Sequence, residues 1–232
     1  MKYSLIFLLF ILVCMGQTCS NKSFEGSVTY TMEFEGDFVA LMETYMPESY
    51  LFSYKDGNTL IQINGGLLET LMGRILVNGS SGESFLLKAE EKRAYRFSGT
   101  SNPEEIDENQ SGPRIIETDE TETILGFKCN LYKMIFNEGG NELIQYVWAT
   151  KEIDIKINGI ENTGLPGTFS FLGLDAYPLK IKAKIQEGGF DFMIILTATS
   201  IHPDKMNSGD FRIPDDYEIL DFNNAFSIPG KL

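Results

Sequence analysis

The chain has 232 residues, 33 of them acidic and 19 basic, for a net charge of −14. No basic patch offsets phosphate repulsion, so nucleic acid and anionic lipid surfaces are excluded as partners. With three cysteines and one histidine, neither a disulfide framework nor a common zinc site is within reach.

The N-terminus reads MKYSLIFLLFILVCMGQTC, with Lys2 ahead of an apolar run of 9 residues, Leu5 to Val13. A bilayer span needs roughly 20, so this is an export signal and not an anchor helix. Two processing routes are open. Cys19 sits where a bacterial lipoprotein cysteine would be acylated, making it a candidate lipid-attachment residue. Alternatively, the small residues Cys14 and Gly16 direct ordinary cleavage ahead of Gln17. About 210 residues remain by either route, enough for one domain with a sizeable core.

Beyond the signal, alternation of period two dominates. In GSVTYTMEFEG, Val28, Tyr30, Met32 and Phe34 point one way and Ser27, Thr29, Thr31 and Glu33 the other, the pattern of a half-buried strand. FVALMETYMPE suits helix or strand and stays undecided. Strands are expected at Tyr50–Tyr54 and Leu60–Asn64, with Asp56-Gly57 as the turn between them. In GLLETLMGRILVN, Leu67, Leu68, Leu71, Met72, Ile75 and Leu76 share one helical face, which predicts a short amphipathic helix despite Gly73. Strands follow at Phe85–Lys88 and Ala94–Phe97. The span 102–122 carries eight acidic residues against Arg114 alone, with Pro103 and Pro113. It is expected to be a mobile acidic connection. Its order of ligands does not fit an EF-hand, and no metal or cofactor is expected.

Further strands are predicted at Ile124–Phe136 and Leu143–Ala149. Leu179, Ile181, Ala183 and Ile185 alternate with Lys180, Lys182 and Lys184, and FDFMIILTATS follows after Gly188-Gly189. The pair predicts a hairpin from Leu179 to Thr199. Short strands without intervening helices argue an antiparallel arrangement within one domain. The expected organisation is a signal over 1–19, one β-rich domain over 20–222, and a tail over 223–232.

Few residues offer chemistry. Leu125, Phe127, Cys129 and Leu131 share an apolar face, where a free cysteine behaves as a small hydrophobe. Nothing in the pattern would lower its thiol pKa. His202 precedes Pro203 in an expected surface turn, and no nucleophile elbow, phosphate loop or dinucleotide fingerprint occurs. With 17 Phe, 10 Tyr and 9 Met, the notable resource is apolar. Methionine and aromatic side chains either fill the core or line an adaptable apolar site. Candidate lining residues are Met42, Tyr45, Leu71, Met72, Trp148 and Phe171.

Four segments together carry a resemblance. ETILGFKCNLY followed by YVWATKEI resembles the G-[FY]-K-C…W pattern of the domain-of-unknown-function 4412 family of exported bacterial proteins. LGLDAYPLKIKAKI resembles that family's turn into a lysine-alternating strand, and FRIPDDYEIL its closing F-x-I-P-x-x-Y. FEGSVTYTMEF is similar to its opening strand. The likeness covers about Phe24 to Leu220. It implies similarity to the periplasmic lipoprotein-carrier superfamily, whose incomplete antiparallel barrel is cupped around a helical lid and holds acyl chains. No carrier arginine matches here, so that activity is not implied.

The reading is a mainly β chain, a curved antiparallel sheet or incomplete half-open barrel with one or two short helices. Its expected role is non-catalytic binding of an apolar or lipid-like ligand in the concavity. It would work in the periplasm of a Gram-negative bacterium, or tethered to the outer membrane through Cys19. The alternative is docking to another envelope protein, without a small-molecule ligand.

Overall fold

The computed structural model describes residues 24–37, 39–97, 112–138, 141–155, 173–187 and 190–222. Twelve strands form one open sheet, with β1 at Gly26–Gly36, β2 at Ser49–Lys55, β3 at Asn58–Asn64 and β4 at Arg74–Val77. β5 (Ser84–Lys88), β6 (Arg93–Phe97), β7 (Arg114–Ile124) and β8 (Phe127–Glu138) follow. The last four are β9 (Asn141–Thr150), β10 (Tyr177–Glu187), β11 (Phe190–His202) and β12 (Glu218–Asp221). Helix α1 (Val39–Tyr45) joins β1 to β2, and α2 (Gly66–Met72) joins β3 to β4. The spatial order is β12-β6-β5-β4-β3-β2-β1-β11-β10-β9-β8-β7. Every pair is antiparallel except β12 on β6. The expected mainly β architecture with one or two short helices is what the described residues adopt, two such helices being present among them.

The sheet curls. Tyr54 on β2 and Tyr177 on β10 are separated by β1 and β11, which on a flat sheet is about 14 Å at one strand spacing each. Their ring centroids are nevertheless 6.2 Å apart and their hydroxyls 2.9 Å apart. Tyr30 on β1 likewise donates to the Pro178 carbonyl at 2.6 Å. Irregularities in register at Thr29/Tyr30, Pro178/Lys180 and Glu117/Thr121 supply the local bending that bulges give.

Register then sorts the side chains. Val28, Phe52, Ile61, Ile75, Leu86 and Tyr95 are partners across β1 to β6, and all belong to the main core. The opposite face of β3 to β6 presents Leu60, Leu76, Phe85, Leu87 and Ala94. A C-terminal segment with a 3₁₀ turn at Ser208–Phe211 covers it, through Phe211, Met206, Ile213 and Tyr217. Glu25 pins that segment, accepting from Lys55 Nζ at 2.6 Å and from the Met206 backbone N–H at 2.7 Å.

Those bonds, Lys55 first and Met206 second, hold the Glu25 carboxyl below its ordinary 4.5, and the Glu25 bond holds Lys55 above its ordinary 10.5. A depressed carboxyl stabilises above its unfolded value and loses that contribution as pH falls through the folded one; a raised amine loses it on the alkaline side. The pin is therefore at full strength between about pH 5 and 10. Amide protection across Met206–Tyr217, taken relative to the intrinsic exchange rate at each pH, should fall below pH 4.5. In Glu25→Gln that step should vanish, leaving protection low throughout.

Four expectations are corrected. The helix predicted to run through Ile75 and Leu76 stops at Met72. Gly73 takes φ 57°, and Arg74–Val77 becomes β4, because Ile75 and Val77 bury fully as partners of Ile61 and Thr59. The single strand predicted at Ile124–Phe136 is two. Leu125 and Gly126 sit at φ 52° and 87° as a two-residue hairpin turn closing the Ile124–Phe127 pair. Leu125, assigned to the apolar face with Cys129, is instead exposed. Within the span read as a connection over 102–122, Arg114–Ile124 forms edge strand β7; residues 98–111 lie outside the described set. The undecided FVALMETYMPE stretch holds α1. The expected Leu179–Thr199 hairpin is β10 and β11, in register from Lys180↔Thr197 to Glu187↔Phe190.

Candidate functional site

The middle of the concave face is filled by the protein's own side chains. Val28, Tyr50, Ile61, Ile75, Leu86, Met134 and Leu179 are fully buried there, and the aromatic rings pack edge to face, Tyr30 on Phe52 at 5.4 Å and Tyr54 on Tyr177. The expected ligand space in the hollow is thus occupied over its centre. Exposed apolar surface lies elsewhere.

Half of the large exposed hydrophobic side chains among the described residues stand on the two helices: Leu41 and Tyr45 on α1, Leu67 and Leu71 on α2. The helices close the end of the sheet where β1 and β3 finish and β2 and β4 begin. Beneath them Met72 is buried, and Met46 and Leu68 pack on the main core. The patch is therefore continuous with the core without being part of it. Each adjacent pair on α2 is divided: Leu68 and Met72 face inward, Leu67 and Leu71 outward, as 100° per residue requires.

Two contacts hold α2 in place, one against the end of α1 and one against β5. At Gly66, φ is 65°, and a Cβ there would run into the Met46 carbonyl oxygen, so α2 starts against the end of α1. At its other end Lys88 Nζ donates to the carbonyls of Thr70, at 3.1 Å, and Leu71. That ammonium completes the last turn and opposes its negative dipole end. Gly66→Ala combines a left-handed backbone with the clash, and is expected to cost about 2 kcal/mol or more. A urea titration with the midpoint lowered and the slope unchanged would register it.

Of the predicted lining residues, the structure brings Met42, Tyr45, Leu71 and Met72 onto these adjoining helices. Trp148 is not among them. It alternates with buried Val147 and Ala149, and so stands on the opposite face of β9, with Lys180 Nζ 4.9 Å above its ring. Phe171 and the lipidation candidate Cys19 lie outside the described residues. Leu41, Leu67, Met46 and Leu68 are the additions that sequence reasoning did not assign to a site.

The candidates for chemistry are placed too. Cys129 is fully buried, and burial pushes its thiol up to about 11, the opposite of what a nucleophile needs. His202 is exposed at the end of β11, paired with Ser27, one strand residue earlier than the expected turn. Among the described residues no three metal-ligating side chains gather, and no helix is long and apolar enough to cross a membrane.

The family whose profile matches is described as Domain of unknown function (DUF4412), over residues 24–217, and the chain belongs to it. No curated protein matches significantly. Among solved structures, one of PNGF-II in space group C2 is similar at TM-score 0.50 and 17% identity, over 88% of this chain. The match spans 32% of the length of that structure, and at such identity it concerns the fold alone. A second is described as an outer membrane lipoprotein-sorting protein domain from Vibrio parahaemolyticus, at TM-score 0.32 and 13% identity, covering 80% of this chain and 89% of that one. That likeness is too loose to carry fold or function across.

Proposed function

We propose that this member of the DUF4412 family is a non-catalytic envelope protein that binds an apolar, lipid-like ligand at the helix-covered end of its half-barrel. The observation that carries the reading is the patch of Leu41, Tyr45, Leu67 and Leu71, exposed together on two adjoining helices whose other faces rest on Met72, Met46 and Leu68. A folded monomer leaves few large apolar side chains clustered in water without a use for them. Thioethers beneath the patch adapt to irregular chains. Burial of Cys129 supports the non-catalytic part of the reading.

The test is fluorescence of a fatty-acid probe with delipidated mature protein. Enhancement that saturates at one probe per chain, and that native lipid displaces, is the expected result. Absence of saturable enhancement, with a stoichiometric protein recovered on the native chain, would replace this reading by docking to an envelope partner.

A further inference from the structure

Lys88 closes β5 at the same end of the sheet as the two helices, and its ammonium reaches the last turn of α2. It donates to the carbonyls of Thr70, at 3.1 Å, and of Leu71. The charge therefore lies against the backbone of a residue of the exposed apolar patch. Capping takes two of its three N–H donors. The helix end it faces amounts to roughly half a negative charge at most. One donor and about half of the positive charge are left over.

No carboxylate of the described chain takes them up, since Lys88 forms no ion pair among those residues. Partial burial lowers its pKa, and Glu91 and Glu90 oppose that only through space. Glu91 is committed elsewhere, accepting from Arg93 Nη1 at 3.3 Å and from the Tyr95 hydroxyl at 2.9 Å. Arg74, also at this end, alternates with buried Ile75 and stands on the opposite face of the sheet. At the far end of α2, about 10 Å away at helical rise, Glu69 Oε2 accepts from the Gly65 N–H at 2.8 Å. The patch thus has a cationic end beside Leu71 and an anionic end near Leu67.

We infer that Lys88 makes the helix-end site selective for apolar chains carrying a free carboxylate. The head sits at Lys88, and the chain lies over Leu71 and Leu67. This rests on the reading of that end as an apolar site and adds which class of ligand enters it. On a chain of net charge −14 an anion is repelled at long range. A partly desolvated ammonium with a free donor reverses that locally, because a charge-assisted hydrogen bond is about twice as strong as a neutral one. An ester or alcohol of the same length covers the same apolar area and gains no such bond.

The test is displacement of an uncharged naphthylamine dye from the delipidated mature protein by decanoate, methyl decanoate and decanol at neutral pH. Decanoate should compete about tenfold better than either neutral compound, as one hydrogen bond between charged groups allows. In Lys88→Met that ratio should fall to about one. In Lys88→Arg, which keeps the charge, it should persist. The ratio is taken within each variant, so a general loss of affinity from a frayed α2 does not alter it. A purely capping Lys88 would weaken all three competitors alike in Lys88→Met and leave the ratio standing, which overturns the inference. Equal competition by acid and ester on the wild type overturns it too, while the apolar site stands. A dye that never binds saturably overturns the apolar site and this selectivity together.

Discussion

Tyr177→Ala is expected to lower stability by about 3–5 kcal/mol, as removal of a large buried aromatic does, and the melting temperature by roughly 10 °C. Tyr177 is 2% exposed and carries the contact between β10 and β2 across two intervening strands. Its loss opens a void where the sheet curls most. It also strips the Tyr54 hydroxyl of its 2.9 Å partner in a dry setting, which adds a desolvation penalty. Tyr177→Phe keeps the ring and loses one hydrogen bond, so about 1 kcal/mol is expected. Calorimetry of both variants separates packing from polar pairing. Near-equal effects would mean that the hydroxyl network, and not the ring, closes the curl.

Leu67→Glu/Leu71→Glu should leave the melting temperature within a degree or two of the wild type, because both side chains are largely outside the core, at 47% and 37% exposed, and surface changes of that kind stay near 0.5 kcal/mol. Probe affinity should nevertheless fall about thirtyfold. Covering the exposed half of each leucine is worth about 1 kcal/mol, and about 2 kcal/mol in total corresponds to that factor. The introduced carboxylates would add to the loss by requiring desolvation. Trp148→Ala is the control: its ring lies on the other face of β9 under Lys180, so probe binding should not change. Equal losses from the two variants would place the ligand against the sheet and away from the helices. Wild-type affinity in the leucine variant would remove the patch from the site altogether.

Much of the fold was legible because alternation is a local property. Val28, Tyr30, Met32 and Phe34 mark β1 whatever lies beside it, and Leu179 to Ile185 does the same for β10. The misreadings have equally local causes. Leu67, Leu68, Leu71, Met72, Ile75 and Leu76 do fit one helical stripe, yet partners on β3 and β5 drew Ile75 and Leu76 into a strand. Leu125 hid a hairpin turn because a leucine seldom takes positive φ, and only the β7–β8 pairing enforces it. The acidity of 114–122 masked β7, whose Glu117, Asp119, Glu120 and Glu122 suit an exposed edge where charge discourages further pairing.

By itself the amino-acid order determined an acidic, mainly β chain, a buried Cys129, and the family motifs from Phe24 to Leu220. Each of these rests on composition, on neighbours in sequence, or on periods of two and 3.6. Only the tertiary structure decided which apolar residues remain outside. Leu67 and Leu71 differ from Leu68 and Met72 by a single step along a helix, and what separates them is where α1 and the sheet's end happen to stand. The encounter of Tyr54 with Tyr177, 123 positions apart, depends in the same way on curl and register. Such relations between distant segments leave no periodic trace in the sequence.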